Sequence, residues 1–455
     1  MQGIRFFLAP VALACATLAQ AQVITVGGNV NVTKMTGSQE ETSIAINRLN
    51  TNQIAIGTNS SSGALLTRYT TNGGSTWAAS SLQPVGGYDS WMGADSFGNI
   101  FMSYQISGVT QIARSTDGGA TYSAPVTIAG SGADHPEMSI GPGVTAGTNS
   151  IYLRDTTGAG NRVISGTSSS LGVSSAYTVQ TGLGSGNFGS TGVGPGGRTI
   201  FTSMNPAGGV GPTTMQLRYD ADGTGPGGYV NKASIVTNVG GFRPVPAQPS
   251  RTIDAQVELE YDFSGGAQNG TLYMLYGQAA NTTTNDTDIV FRRSTDDGAT
   301  FSSELKLNTD VGTSSQFFGR LAVDQKNGWL ASVWYDARNS PGNNTVELWG
   351  TVSINGGLSW APNFKISQGI SNGRSTNTGD GNEFGDYISL DFYDGVLATA
   401  WGDSSNSTGD NPNGTAGLDV YFAKVLVAVP EPSTYLMMAG GLLFCALRAR
   451  RFRSA

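Results

Sequence analysis

Four short segments of this chain repeat one turn. They are Thr70-Thr71-Asn72-Gly73-Gly74-Ser75-Thr76-Trp77, Ser115-Thr116-Asp117-Gly118-Gly119-Ala120-Thr121-Tyr122, Ser294-Thr295-Asp296-Asp297-Gly298-Ala299-Thr300-Phe301 and Ser353-Ile354-Asn355-Gly356-Gly357-Leu358-Ser359-Trp360. In each, the side-chain oxygen of Asp or Asn is placed to accept backbone N–H bonds inside a hairpin turn. Glycine relieves the positive φ, and the closing aromatic packs back over the turn. A turn that satisfies its own polar groups is a folding element rather than a catalytic one. Its recurrence restricts the chain to a repeating all-β architecture.

A second repeat fills the gaps. Seven alternating strands run Ser43 to Asn47, Trp91 to Asp95, Glu137 to Gly141, Ser190 to Gly194, Glu258 to Asp262, Arg320 to Asp324 and Tyr387 to Asp391. Their starts lie 48, 46, 53, 68, 62 and 67 residues apart, about one four-stranded unit each. The second and fourth places are mostly apolar and the middle one is usually small, as crowding near a common axis requires.

The four turns resemble the Asp-box, or bacterial neuraminidase repeat, Ser/Thr-x-Asp-x-Gly-x-Thr/Ser-aromatic. The resemblance implies a single β-propeller of the sialidase superfamily type over residues 39–427, following a lead-in over 22–38. Sialidases have six blades; the strand count here favours seven. The third, fourth and seventh units lack a clear box, and Asp220-Ala221-Asp222-Gly223 reads as a decayed one.

Composition narrows the function. Glycine, at 65 of 455 residues, suits many tight turns and follows no collagen period. Cys15 and Cys445 both lie in segments that look removable, which leaves no disulfide framework in the body. The single histidine, His135, excludes a multi-histidine metal site. Without its two ends the body carries 20 basic and 31 acidic residues, so nucleic acid is not an expected partner. No cofactor is expected. Two acidic, Gly-rich loops, Thr378 to Glu383 and Asp403 to Asp410, offer oxygen ligands for calcium but do not match EF-hand spacing.

Both ends read as addresses. Arg5, the apolar run Phe6 to Ala19 and the small-x-small site ending at Ala21 form a secretory signal over residues 1–21. A lipoprotein signal at Cys15 is the rival, weakened by Ala12 where a bulky aliphatic is usual. At the other end, Pro430-Glu431-Pro432, the apolar stretch Tyr435 to Leu447 and the arginines from Arg448 resemble a PEP-CTERM sorting tail over 428–455. That resemblance implies cleavage near the Pro-Glu-Pro motif by an exosortase, with membrane contact only through the tail before processing. The implied location is the cell surface or the extracellular polysaccharide matrix.

If each box joins the third and fourth strands of a blade, it lies where the first strand ends. The starts of the first strands then form a ring at the other mouth: Ser43, Trp91, Glu137, Ser190, Glu258, Arg320 and Tyr387. Second-to-third-strand loops add Asp155, Asp336, Arg338 and Asp403. Trp91 offers a face for a sugar ring, and Glu137, Arg320, Asp336 and Arg338 offer groups for hydroxyls or a carboxylate. A glycan or matrix component bound without catalysis is the leading expectation; a protein scaffold is the third.

The sialidase resemblance implies the alternative, an exo-glycosidase. Tyr387 would be its nucleophile, Glu258 would deprotonate it, Asp89 would be acid/base, and Arg320 would hold the substrate carboxylate, with Arg338 or Arg154 completing the clamp. The Phe/Tyr-Arg-Ile-Pro motif of that family does not precede the first blade. Phe242-Arg243-Pro244-Val245-Pro246 matches it in part but falls mid-chain and reads as an interblade linker.

Overall fold

The alternation in the first strands has a packing cause. Ile44 and Ile46 of the strand Gln39–Ile46 pack with Ile54 and Ile56, and with Ala398, Ala400, Val420 and Phe422 from the far end of the chain. Met92 and Ala94 join Ala45, Ala55 and Leu65, and Leu321 and Val323 join Tyr273, Leu275 and Phe291. The core is therefore a set of apolar layers between consecutive sheets, each fully buried side chain contributing about 1.5–3 kcal/mol.

The computed structural model describes residues 22–128, 130, 132–223, 228–375 and 383–430. It contains seven antiparallel blades whose first strands are Gln39–Ile46, Gly87–Ala94, Asp134–Pro142, Thr191–Val193, Glu258–Tyr261, Gln316–Asp324 and Ser389–Tyr393. Each first strand touches its counterparts in the blades before and after, and the seventh touches the first. The chain is a seven-bladed β-propeller, which decides between the six and seven blades that the sequence allowed.

The chain divides into two compact units. Residues 25–426 form the larger, which holds the blades; residues 1–24 and 427–455 form the smaller, of which 22–24 and 427–430 are described. Within the larger unit the ring is closed by the segment that the sequence set apart as a lead-in. Gly27 N donates to Lys424 O at 2.9 Å, Val30 and Asn31 pair with Phe422 and Tyr421, and Asn31 Nδ2 donates to Asp419 Oδ2 at 2.5 Å. An N-terminal segment thus covers the edge of the last blade, which would otherwise offer unpaired backbone groups.

All four repeat turns join the third and fourth strands of their blades. Ser115 Oγ donates to Asp117 Oδ1 at 2.8 Å, Thr121 N donates to the same oxygen at 2.9 Å, and Gly119 N donates to Ser115 Oγ at 2.8 Å. Asn355 does the same with Ser353 and Ser359. The turns also bind neighbouring blades. Gly357 has φ +78°, and a Cβ there would lie 2.5 Å from the Phe291 ring of the preceding blade. Trp360 meets Phe291 edge-on at 5.1 Å, as Trp77 meets Phe422. Trp77 alone of this pair also closes over its own turn, donating Nε1 to Gly74 O at 3.1 Å. The turn at Asp220 takes the same place in the fourth blade, with Asp222 N and Gly223 N each 3.1 Å from Asp220 Oδ1.

Among the described residues, a two-stranded sheet stands outside the blades. Between the fourth and fifth blades, Arg243–Val245 pairs with Gln248–Ile253 as a two-stranded hairpin. The Phe242 to Pro246 stretch, read above as a linker, is its first arm. The hairpin reaches the residues entering the seventh blade: Gln248 Nε2 donates to Gly385 O at 2.7 Å and Gln248 Oε1 accepts from Phe384 N at 3.1 Å. Ser250 N and Arg251 N donate to Glu383 Oε2 at 3.2 and 3.3 Å. The hairpin therefore caps the mouth at which the first strands begin.

Candidate functional site

Every blade enters the channel the same way. Two residues before each ring position, the backbone turns left-handed: Glu41 (φ 56°), Asp89 (52°), His135 (51°), Phe188 (47°), Gln256 (43°), Phe318 (53°) and Gly385 (72°). Non-glycine residues rarely adopt this conformation, yet six of the seven are not glycine. In the first, second, third and sixth blades it coincides with a β-bulge in the first strand. Bulges re-aim side chains, and here they bring polar residues around one mouth. The sequence gives no common residue type at these positions, so the repeat is visible only in the backbone.

The ring itself closes across the axis. The Arg320 guanidinium lies 4.3 Å over the Trp91 ring and makes a 2.5 Å charge contact with Glu258 whose angle is off the line of a hydrogen bond. Tyr387 tilts against Trp91 with ring centroids 5.6 Å apart. Trp91, Glu137, Glu258, Arg320 and Tyr387, named from sequence, are thus brought together, from five different blades. The contacts differ from those of a tyrosine nucleophile. Glu258 is engaged by Arg320, the Tyr387 hydroxyl has no hydrogen-bond partner, and burial together with Asp89, Glu41 and Asp386 holds that phenol well above its ordinary pKa. The Trp91 ring expected to receive a sugar carries Arg320 instead.

Asp336 and Arg338 are not brought into this group. Arg338 donates to Asp336 Oδ2 at 2.7 Å and stacks over Trp349 at 4.2 Å, while Asp336 also accepts from Trp334 Nε1 at 2.8 Å. Both are spent in a local network at the outer part of the sixth blade. Asp155 is paired with Arg162. Arg154, fully buried, donates to Asn161 Oδ1 and sits opposite Glu137 in the ladder. Asp89 lies under the hairpin, where burial raises its carboxyl to about 6 against the opposing pull of His135.

On the other side of the ring lies a cavity of about 370 Å³. Its wall runs from Glu137, Glu258 and Arg320 past Glu260 and Asp391 to Arg48, Phe263 and Tyr393, residues at or just beyond the ends of first strands. That is the face of the repeat turns. The sequence placed any site at the opposite mouth; the hairpin covers that mouth, and this cavity faces the other way. Arg48 pairs with Asp391 at 3.0 Å and lies 5.0 Å over the Tyr393 ring. Burial, then the neighbouring Glu258 and Asp391, pushes Glu260 up to about 8. Burial lifts Glu258 to about 7 even against Arg320. Phe263, Tyr393, Arg48 and Glu260 were not singled out by sequence. Their signal is weak: each flanks or shares the Asp- or Asn-terminated strand end common to the blades.

Among the described residues, no group of three or more His, Cys, Asp and Glu is disposed to hold a metal ion. In the Asp403 to Asp410 loop, Asp403 accepts from Trp401 Nε1 at 2.9 Å and Asp410 pairs with Lys34 at 2.9 Å. Residues 378–382 of the other acidic loop lie outside the described residues, as do Ala21, Glu431, Pro432 and the apolar tail; Pro430 is the last residue described. Among the described residues no helix is long and apolar enough to cross a membrane.

Residues 428–451 match the family model described as the PEP-CTERM protein-sorting motif. A signal of this kind implies an exported chain processed by an exosortase. No curated protein matches the chain. Among solved structures, the chain is similar to a GH93 α-L-arabinofuranosidase of Fusarium graminearum in complex with arabinobiose, at 14% identity over 72% of this chain and 98% of that one, TM-score 0.43. A structure described as a Hadza microbial sialidase is similar at 11% identity over 85% of this chain and 65% of that one, TM-score 0.43. The dihydro-heme d1 dehydrogenase NirN follows at 12% identity over 75% and 60%, TM-score 0.37.

Proposed function

We propose that this exported propeller acts at the cell surface or in the extracellular matrix as a carbohydrate-binding module, taking a short glycan end into the channel from the face of the repeat turns. The observation that carries this reading is the channel cavity, about 370 Å³, within the size range of small-ligand pockets. Its rim presents Phe263 and Tyr393 and its wall presents Glu260, Asp391 and Arg48. Aromatic edges beside hydrogen-bonding and charged groups suit a polyhydroxylated ring. The contacts of Tyr387 and Glu258 supply no activated nucleophile, so the reading is binding without hydrolysis.

Titration of the full chain with a saccharide panel, alongside assays on fluorogenic sialosides and arabinosides, tests it. Binding without turnover, weakened in Tyr393→Ala and Glu260→Ala, is the expected result. Turnover lost in Tyr387→Phe and Glu258→Ala would establish the glycosidase instead.

A further inference from the structure

A second chamber, separate from the channel cavity, lies beneath the capping hairpin. It measures about 380 Å³, and its wall includes Asp89, Asp134, Asp254, Asp386, Phe188 and Phe242. Arg251 also faces it but is held by Asp386, with Nε to Oδ1 at 2.7 Å, and lies 3.6 Å from Glu41. His135 lies 3.7 Å from Asp134, and its ring meets Phe188 edge-on at 5.1 Å. The chamber thus keeps an excess of carboxylates over cations.

Acidity alone would not define a ligand, but the floor of the chamber adds an independent feature. His135, Phe188, Asp254 and Asp386 also line a narrow neck of about 10 Å³. Three buried polar atoms belong to residues lining that neck and have no hydrogen-bond partner: Glu137 Oε2, Gln256 Oε1 and the Tyr387 hydroxyl oxygen. Their residues are 5%, 7% and 3% exposed. All three can accept, and a buried acceptor left unpaired costs about 1–3 kcal/mol. Asp254, 8% exposed, stands beside them.

A primary ammonium carries three donors and one positive charge, which matches three acceptors and a carboxylate at a neck too small for more than a few atoms. Phe188 and Phe242, at 5.6 Å and 86°, stand at the wider level above, where aromatic rings favour a cation and its apolar edge. The step from a tight neck to a broad chamber fits a nitrogen joined directly to a ring, not one at the end of a long flexible stem. We propose that the chamber under the hairpin is a binding site for an amino sugar. The ammonium enters the neck between Asp254, Gln256, Glu137 and Tyr387, and the ring lies against Phe188 and Phe242 with its hydroxyls toward Asp89 and Asp134. Of these residues only Glu137 also lines the channel cavity, whereas Asp254 and Gln256 line the neck and not the cavity, so the two readings can fail separately.

Calorimetric titration of the full chain with glucosamine and with N-acetylglucosamine tests the proposal. The two differ in the charge on one nitrogen. Glucosamine should bind about tenfold or more tightly than its acetylated form. Asp254→Asn and Gln256→Leu should each weaken glucosamine about fivefold or more, and Asp254→Asn should leave saccharide binding in the channel unchanged. Equal affinity for the two sugars, or no heat from glucosamine, would overturn the proposal on the wild-type protein alone, whatever the variants do. Unaltered glucosamine affinity in a folded Asp254→Asn would overturn it as well.

Discussion

Arg320, on the sixth blade, reaches across the propeller axis to lie 4.3 Å over the ring of Trp91 on the second. Its other contact is Glu258 on the fifth blade, at 2.5 Å. One side chain therefore ties three blades together and divides the channel into a covered mouth and an open cavity. Both members of the ion pair are under 10% exposed. Removing one partner of such a pair strands the other charge, which usually costs more than the pair contributes.

Arg320→Ala should accordingly destabilise the protein by about 3 kcal/mol. The loss should depend on pH. Glu258 already sits near 7 because burial outweighs the Arg320 charge, and without that charge it rises further. At about pH 5.5 the carboxyl is neutral in the variant and little is stranded; at about pH 8.5 it must ionise or take up a proton at a cost. Urea unfolding at both pH values should show a clearly larger loss at the higher one. Equal losses would mean that the cation–π contact, not the ion pair, carries the contribution.

The capping hairpin should be held locally rather than by the global stability of the fold. Arg251 is 39% exposed, so its pairing with Asp386 contributes at most about 1 kcal/mol. Arg251→Ala should leave the melting temperature nearly unchanged. Amide exchange should nevertheless quicken in Gln248–Ile253 and at Phe384, whose backbone N–H bonds to Gln248, because those bonds open by a local route. Exchange in Glu258–Tyr261, inside a blade, should not change.

The repeat turns make a contrasting prediction. Gly357→Ala combines a left-handed φ of +78° with a Cβ 2.5 Å from Phe291. The backbone term is about 1–2 kcal/mol and the clash adds to it, so chemical denaturation should register a loss of about 2–3 kcal/mol. Asp296→Asn should be close to neutral at pH 7, since Asn355 and Asn72 already fill the same place and accept the same bonds from Ser359 N and Thr76 N.

What the sequence could reveal follows from distance along the chain. The turns at Asp117 and Asp296 are complete within eight residues, so residue type and spacing specify them fully. The first strands are legible for the same reason: alternation at Ile44 and Ile46, or Leu321 and Val323, is local. The hairpin is not, because Gln248 is satisfied by Phe384 and Gly385, over 130 residues later. It covers the mouth at which the first strands start, while the channel cavity lies on the opposite face. Arg320 and Glu258 could be placed in one ring, but the Trp91 contact that fills the axis depends on the span between blades two and six. Neither the left-handed position of Gln256 nor that of Phe188 leaves any mark in residue type.

Glu260 gives the channel its own pH signature. Its carboxyl rises to about 8 from an ordinary value of 4.5, first through burial and then through Glu258 and Asp391. A carboxyl raised on folding holds its proton in the native state over a range where the unfolded chain has lost it. Native stability is therefore undiminished below about pH 4.5 and falls as pH rises through about 8. Glu258, raised to about 7, adds to the same fall over a slightly lower range. Glu260→Gln keeps the shape and removes the titration. Thermal melting between about pH 5 and pH 8.5 should show the wild type losing stability steadily and the variant losing visibly less. The difference in slope between the two should be least at the acidic end, where the unfolded chain nears its own carboxyl value of 4.5 and begins to keep the proton that the native state holds. Parallel curves across the whole range would mean that the channel is wet enough for Glu260 to titrate as it does in water.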